Sequence, residues 1–267
     1  MSSTTKPGRA PRAIALMYHA IGGPDRADAA QDPHYTVAAT HFAQQLDTLA
    51  QLAGGATSAR DWLATPDAAP AVLTFDDGHA SNHLLAWPAL LERGMRADFF
   101  INPGKVGEPG LASWSALREM AASGMSIQSH GWNHRYFTEL DAPALREDLR
   151  RSRQTIEDHI GAPVTLLAPP GGRMHADLPR IARECGYTHV LGSQPGPLRP
   201  DRGAQALPRL AVTAALDAAT LAGWLAGRGL ARARLRYELL GLAKHTLGDR
   251  RYERWRARLL GQEITAR

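Results

Sequence analysis

Six short apolar runs recur along the chain, each flanked by turn formers or polar residues: Ile14–Tyr18, Ala71–Phe75, residues 97–101, Ser126–Ser129, residues 164–168 and residues 188–191. Runs of this length bounded by breakers read as buried strands. Helical patterns lie between them. Residues 81–93 place Leu84, Leu85, Leu90 and Leu91 on an apolar face; residues 113–123 open on Ser113 as N-cap and close before Gly124; Ala142–Ile160 is charged along one side and is stopped by Gly161-Ala162-Pro163; residues 175–185 end at Gly186. Strands alternating with helices predict βαβ units and a parallel sheet. About six or seven such units in one chain predict a distorted or incomplete (β/α) barrel, TIM-like with about seven strands, rather than two domains.

The barrel is expected over residues 13–228, after a flexible N-terminus at 1–12 and before a basic helical tail at 229–267. Residues 25–33 and 193–203 read as surface loops. In the tail, residues 230–262 read as one or two amphipathic helices, with Leu235, Leu239, Leu240, Leu242, Leu247, Trp255, Leu259 and Leu260 set among arginines. Such a helix either packs on the barrel with a solvated Arg face or lies on an anionic membrane.

Composition narrows the classes. Of 267 residues, 44% are hydrophobic and 21% charged, as in a globular protein with a proper core. The net charge of +5 gathers in the tail, which lacks any recognisable nucleic-acid module, so no nucleic-acid partner is expected. The single cysteine, Cys185, excludes a disulfide framework and a Cys-rich zinc site. The apolar run at 13–17 is too short for a signal sequence and no stretch reaches membrane-spanning length. The expected location is the cytoplasm, with the inner membrane face as the place a lipid-binding tail would reach.

Four motifs carry candidate chemistry. Thr74-Phe75-Asp76-Asp77-Gly78 ends a predicted strand with two adjacent carboxylates. Their repulsion and desolvation are costly unless a cation relieves them. Neighbours on an extended segment point opposite ways, so both reach one site only if the chain bends, which Gly78 would allow. His130-Gly131-Trp132-Asn133-His134 sets two imidazoles four residues apart, within reach of one metal. One carboxylate plus two imidazoles is a common mixed set for a divalent ion with open positions. Leu167-Ala168-Pro169-Pro170-Gly171-Gly172-Arg173 is a rigid entry and a permissive bend, either a plain turn or a loop presenting a backbone N–H to substrate. Met17-Tyr18-His19 ends the first strand with a titratable ring.

In this order the four motifs resemble the polysaccharide deacetylase family (NodB-homology, carbohydrate esterase family 4), and Met17-Tyr18-His19 resembles its poly-N-acetylglucosamine deacetylase branch. The resemblance spans roughly residues 13–210. It implies a distorted (β/α) barrel, Asp76 as general base, Asp77, His130 and His134 as metal ligands, His19 as general acid, and Gly171 with Pro170 at the oxyanion. It also implies a divalent metal, Zn ahead of Fe, Co or Ni, and an N-acetylated sugar or glycan as substrate, free or lipid-linked. Two positions depart from the pattern. Gly131 replaces a hydroxyl residue. Ala168 stands where the family has the arginine that pairs with the base, leaving Arg173 or Arg209 to supply that charge. Two other readings compete: a hydrolase of a non-sugar amide, and a catalytically inactive barrel that binds glycan.

Overall fold

Alternation with period two inside the apolar runs decides which side chains face which layer, and the computed structural model follows it. The structure describes residues 13–22, 32–66, 70–199 and 206–247. The strands are β1 (Ile14–Tyr18), β2 (Ala20–Gly22), β3 (Thr36–Ala38), β4 (Ala71–Phe75), β5 (Asp98–Ile101), β6 (Ser126–Ser129), β7 (Leu166–Leu167), β8 (His189–Val190) and β9 (Leu210–Ala211). The helices are α1 (Ala39–Ala53), α2 (Ala59–Ala64), α3 (Trp87–Leu91), α4 (Trp114–Ala122), α5 (Ala142–Ile160), α6 (Leu178–Glu184), α7 (Ala218–Leu225) and α8 (Leu230–Leu247).

Seven strands form one parallel sheet in the order β8-β7-β6-β5-β4-β1-β9, while β2 and β3 pair separately. The sheet curls until Leu191, just past β8, meets Leu207, just before β9, in a single parallel bridge. The result is the expected distorted (β/α) barrel, with that bridge as its seam.

Two apolar clusters separate by strand phase. Ile14, Leu16, Tyr18, Leu73, Phe75, Phe99 and Ile101 point outward and pack with helical residues such as Phe42, Leu46 and Leu149. Tyr18, Phe75 and Phe99 stack at ring separations of 5.2 and 4.8 Å. Ala15, Val72, Phe100, Leu166, Ala168, Leu191 and Leu207 fill the interior together with Trp62. The inward phase of each strand, carried forward, reaches His19, Asp76, Asn102, His130 and Arg209. Candidate chemistry and barrel interior are therefore in register.

Several elements differ from the sequence expectation. The helix expected over 81–93 is a π turn, Asn82–Ala86, followed by α3. Pro88 has no N–H and crowds the preceding turn, so the regular ladder cannot run through it. Strands β7 and β8 are two residues each, shorter than expected. Beside β7, the Gln128 side chain accepts the N–H groups of Thr165 and Leu166 at 3.0 and 2.8 Å, replacing strand pairing there. Helix α8 keeps Leu230 buried and Ala233 packed against the core. Leu235 and Leu239, however, are exposed among Arg232, Arg234 and Arg236. Over 230–239 the buried Leu230 and the exposed Leu235 and Leu239 thus lie on different faces of the helix. The expectations for residues 1–12, for 25–31, for 200–203 and for the tail from 248, with Trp255, Leu259 and Leu260, lie outside the described residues.

Candidate metal centre and active site

Strand β4 delivers Asp76 in the inward phase set by Val72 and Thr74, and the Asp76 N–H donates to the Tyr18 carbonyl at 2.9 Å. The chain then turns through two left-handed residues, Asp77 at φ 73° and Gly78 at φ 71°. The bend begins at Asp77, one residue before the glycine that the sequence suggested. Asp77 and His134, at φ 59°, are the two non-glycine residues with positive φ among the described residues. A left-handed conformation at such residues costs of order 1 kcal/mol or more and persists where the surroundings enforce it.

Those two residues meet. His134 Nε2 lies 3.1 Å and His130 Nε2 3.3 Å from Asp77 Oδ1. Asp77, His130 and His134 each offer one ligand atom, all within 4.8 Å of one another. Asp77 Oδ1 is buried and finds no hydrogen-bond partner among the described residues. An orphaned carboxylate oxygen facing two ring nitrogens fits a divalent cation, so these three side chains could hold one. Burial works to raise the Asp77 carboxyl, but the imidazoles of His130, His134 and His79 outweigh it and hold the group well below the usual carboxylate range. Burial works to lower the His130 imidazole, and Asp76 and Asp77 more than offset it, leaving it raised.

The surrounding shell orients the rings. His130 Nδ1 meets the Ala168 carbonyl at 2.8 Å, which fixes the tautomer and leaves Nε2 for the cluster. The Asn102 side-chain amide donates to the carbonyls of His130 and Gly131 at 2.5 and 3.2 Å. Ser129 Oγ accepts the Gly131 N–H at 3.2 Å and bonds Ser152 Oγ at 2.8 Å, and Ser152 donates to the Gly131 carbonyl at 3.2 Å. Gly131 has φ 75°, and a Cβ there would stand 2.8 Å from Phe137 and 3.1 Å from Asp148. The local backbone thus requires glycine, and Ser129 and Ser152 supply hydroxyls to the loop. Sequence reasoning missed Asn102, Ser129 and Ser152. Asn102 carried a usable signal, because it continues the inward phase of β5.

Asp76 has a different partner. Arg209 Nη1 and Nη2 donate to its two oxygens at 2.7 and 2.8 Å. Both side chains are almost fully buried, at 1% and 4% exposure. Arg209 also donates to Thr74 Oγ1 at 3.2 Å and to the Gly192 carbonyl at 2.9 Å. Burial works to raise the Asp76 carboxyl, but Arg209 prevails and lowers it, keeping it ionised. Of the two arginines considered for this charge, Arg209 stands on Asp76. Arg173 stacks over the Tyr136 ring at 3.9 Å.

His19 is half-buried at the end of β1, its ring 4.7 Å from that of Tyr35 and its Nδ1 buried without a partner among the described residues. Burial lowers its imidazole, and Asp77 and Asp76 offset this only in part. Pro170 and Gly171 open a short 3-10 turn in which the Gly172 N–H returns to the Pro169 carbonyl at 2.9 Å. Gly171 sits at φ 62° with the Tyr136 ring 2.8 Å from where its Cβ would be. The first N–H groups of such a turn have no acceptor within it.

The model of the polysaccharide deacetylase family matches residues 64–190, from α2 to β8. The matched segment resembles a polysaccharide deacetylase domain. YxkH of Bacillus subtilis (strain 168) is 26% identical over 154 residues, covering 58% of this chain and 55% of that protein. A chitin deacetylase of Pestalotiopsis sp is 30% identical over 98 residues, covering 37% of this chain and 33% of that protein. The chain thus spans about half or less of the length of these curated relatives. The structure of IcaB from Ammonifex degensii matches with a TM-score of 0.65 at 27% identity, over 80% of this chain and 97% of that one. The Streptococcus pyogenes deacetylase PplD shares the fold, with a TM-score of 0.70 at 22% identity over 79% of this chain and 96% of that one.

Proposed function

We propose that this chain is a metal-dependent hydrolase that removes an N-acetyl group from an amino sugar in a glycan or glycan precursor. The observation that carries the reading is the three-residue cluster of Asp77, His130 and His134, with ligand atoms within 4.8 Å, beside an Asp76 held ionised by Arg209. The family match and the likeness to IcaB support it.

In this reading Asp77, His130 and His134 hold the ion. Two imidazoles and one carboxylate suit zinc, and iron, cobalt or nickel would accept the same donors. A divalent ion held there supplies Lewis acidity, acidifying water and polarising the acetyl carbonyl. Asp76 takes the proton from the attacking water as general base. Arg209 keeps that carboxylate ionised and fixes its direction. The Gly171 N–H, aimed by the rigid Pro170, donates to the carbonyl oxygen as charge develops on it, a contact worth about 3–4 kcal/mol where it has been measured in other enzymes. His19 gives its proton to the leaving amine. The residues of the barrel, 13–228, hold all of these groups, and we assign 229–267 to a separate basic tail.

The substrate we assign is an N-acetylated sugar, free or lipid-linked, acted on in the cytoplasm or at the inner membrane face. No described helix is long and apolar enough to cross a membrane. The test is metal content together with acetate release over a panel of N-acetylated sugars, free and lipid-linked, with non-sugar amides alongside. We expect zinc and acetate release from the sugars. Full activity in Asp76→Asn overturns the mechanism, and turnover of non-sugar amides alone overturns the substrate assignment.

A further inference from the structure

His79 stands beside the cluster without a task in the chemistry above. It follows Asp77 by two residues in the same turn and is 7% exposed. Its backbone is pinned by an antiparallel bridge to Leu111 and by the Asn82 N–H, which donates to its carbonyl at 2.9 Å. Its ring faces Asp77, with Nε2 3.6 Å from Oδ2.

The two oxygens of Asp77 are thereby divided. Oδ1 faces His134 and His130, while Oδ2 faces His79. His79 is not one of the residues whose ligand atoms gather within 4.8 Å, so it flanks the carboxylate rather than the space the three enclose. The tautomer follows from burial. His79 Nδ1 is buried and has no partner among the described residues. A proton on Nδ1 would be a buried, unsatisfied N–H, whereas a proton on Nε2 meets a carboxylate. Closing the gap to an ordinary N–H···O length needs a movement of roughly 0.6 Å.

We infer that His79 is a positioning residue whose Nε2–H holds Asp77 Oδ2 and so keeps Oδ1 aimed at the cation shared with His130 and His134. The inference rests on the metal reading of that cluster. Hydrogen-bond partners of this kind set ligand direction and basicity, and losing one costs about 10–100-fold in metal affinity.

The test is zinc affinity of the full chain, measured by competition with a chromophoric chelator, for the wild type, His79→Phe, His79→Gln and His130→Ala. His79→Phe fills the space without a donor and is expected to bind zinc about 10–100-fold more weakly. Its acetate release should recover once zinc exceeds the new dissociation constant. His79→Gln can present an N–H to the same oxygen and is expected to bind nearly as the wild type does. Wild-type zinc affinity in His79→Phe, with affinity lost in His130→Ala, overturns the role of His79 and leaves the metal centre standing. So does a loss in His79→Gln as large as that in His79→Phe. Unchanged affinity in both His79→Phe and His130→Ala overturns the metal centre itself.

Discussion

Strands β1 and β4 pair over five positions, and β5 and β6 over four, whereas β7, β8 and β9 contribute two residues each. The well-paired side delivers Asp76, Asp77 and His130 from strand ends fixed by regular ladders. The thin side delivers the Ala168 carbonyl that orients His130 and, next to the seam, the Arg209 that grips Asp76. Chemistry thus comes from the long strands, and its charge support from the short strands that flank them. On the well-paired side a cluster residue can be lost without unfolding the wall behind it. Arg209 itself spans the seam, donating to the Gly192 carbonyl at 2.9 Å on one side while it grips Asp76 on the other.

Four predictions, one of them comparing two substitutions, sharpen that contrast. The largest effect is expected for Asp76→Asn, which should lower acetate release about 10²–10⁴-fold, the range for a general base, while zinc content stays at the wild-type level. Equal loss of zinc would mean that the two aspartates do not divide their tasks. Next is Arg209→Met on the thin side. It leaves a buried carboxylate unpaired and should cost about 3–5 kcal/mol in urea unfolding. His134→Ala, at a half-exposed ring in the loop after β6, should lose zinc and leave metal-free stability nearly unchanged. A small stability change in Arg209→Met would show that the seam does not depend on the pair.

Third comes Asp98, at the far end of β5. Its carboxylate accepts the N–H groups of Ala59 and Arg60, and burial pushes its pKa up to about 6. A raised acid pKa means that the folded chain holds the proton more tightly than the unfolded chain does. Stability from this group is therefore present at low pH and is lost as pH rises from about 4 to about 6, by roughly 3 kcal/mol. Asp98→Asn should flatten the unfolding free energy across that window, and an unchanged slope would contradict the assignment. The smallest effect is expected outside the barrel. Leu235→Asp on the exposed surface of α8 should change stability by no more than about 0.5 kcal/mol. Flotation of the full chain with anionic liposomes, lost in this variant, would show that the exposed leucines serve a membrane.

Legibility in the sequence follows the same division. Runs of four or five apolar residues held their strand assignment because each strand is buried on both faces, as in Ala71–Phe75. Ser113 and Gly124 marked the ends of α4 because capping is a local interaction, seen in Ser113 Oγ accepting the Ala116 N–H at 3.2 Å. Helix α1 went unassigned although Phe42, Leu46 and Leu49 stand at helical spacing; that signal was available. Strands β2, β3 and β9 were not recoverable, since two or three residues carry no periodicity. The cluster of Asp77, His130 and His134 was legible as a set of motifs, because each sits at the end of a readable strand. Arg209 could be offered only as one of two candidates, since its partner lies 133 positions away and no local pattern encodes that meeting. His79 was not legible, because its ring meets Asp77 only through the left-handed turn at Asp77 and Gly78.

The central claim is that Asp77, His130 and His134 close on a single cation. Zinc titration of the full chain, followed by mass spectrometry under non-denaturing conditions, tests it directly. The account predicts one zinc per wild-type chain and none retained at the same free zinc in a folded Asp77→Ala or His130→Ala variant. One zinc per chain in both variants would contradict it.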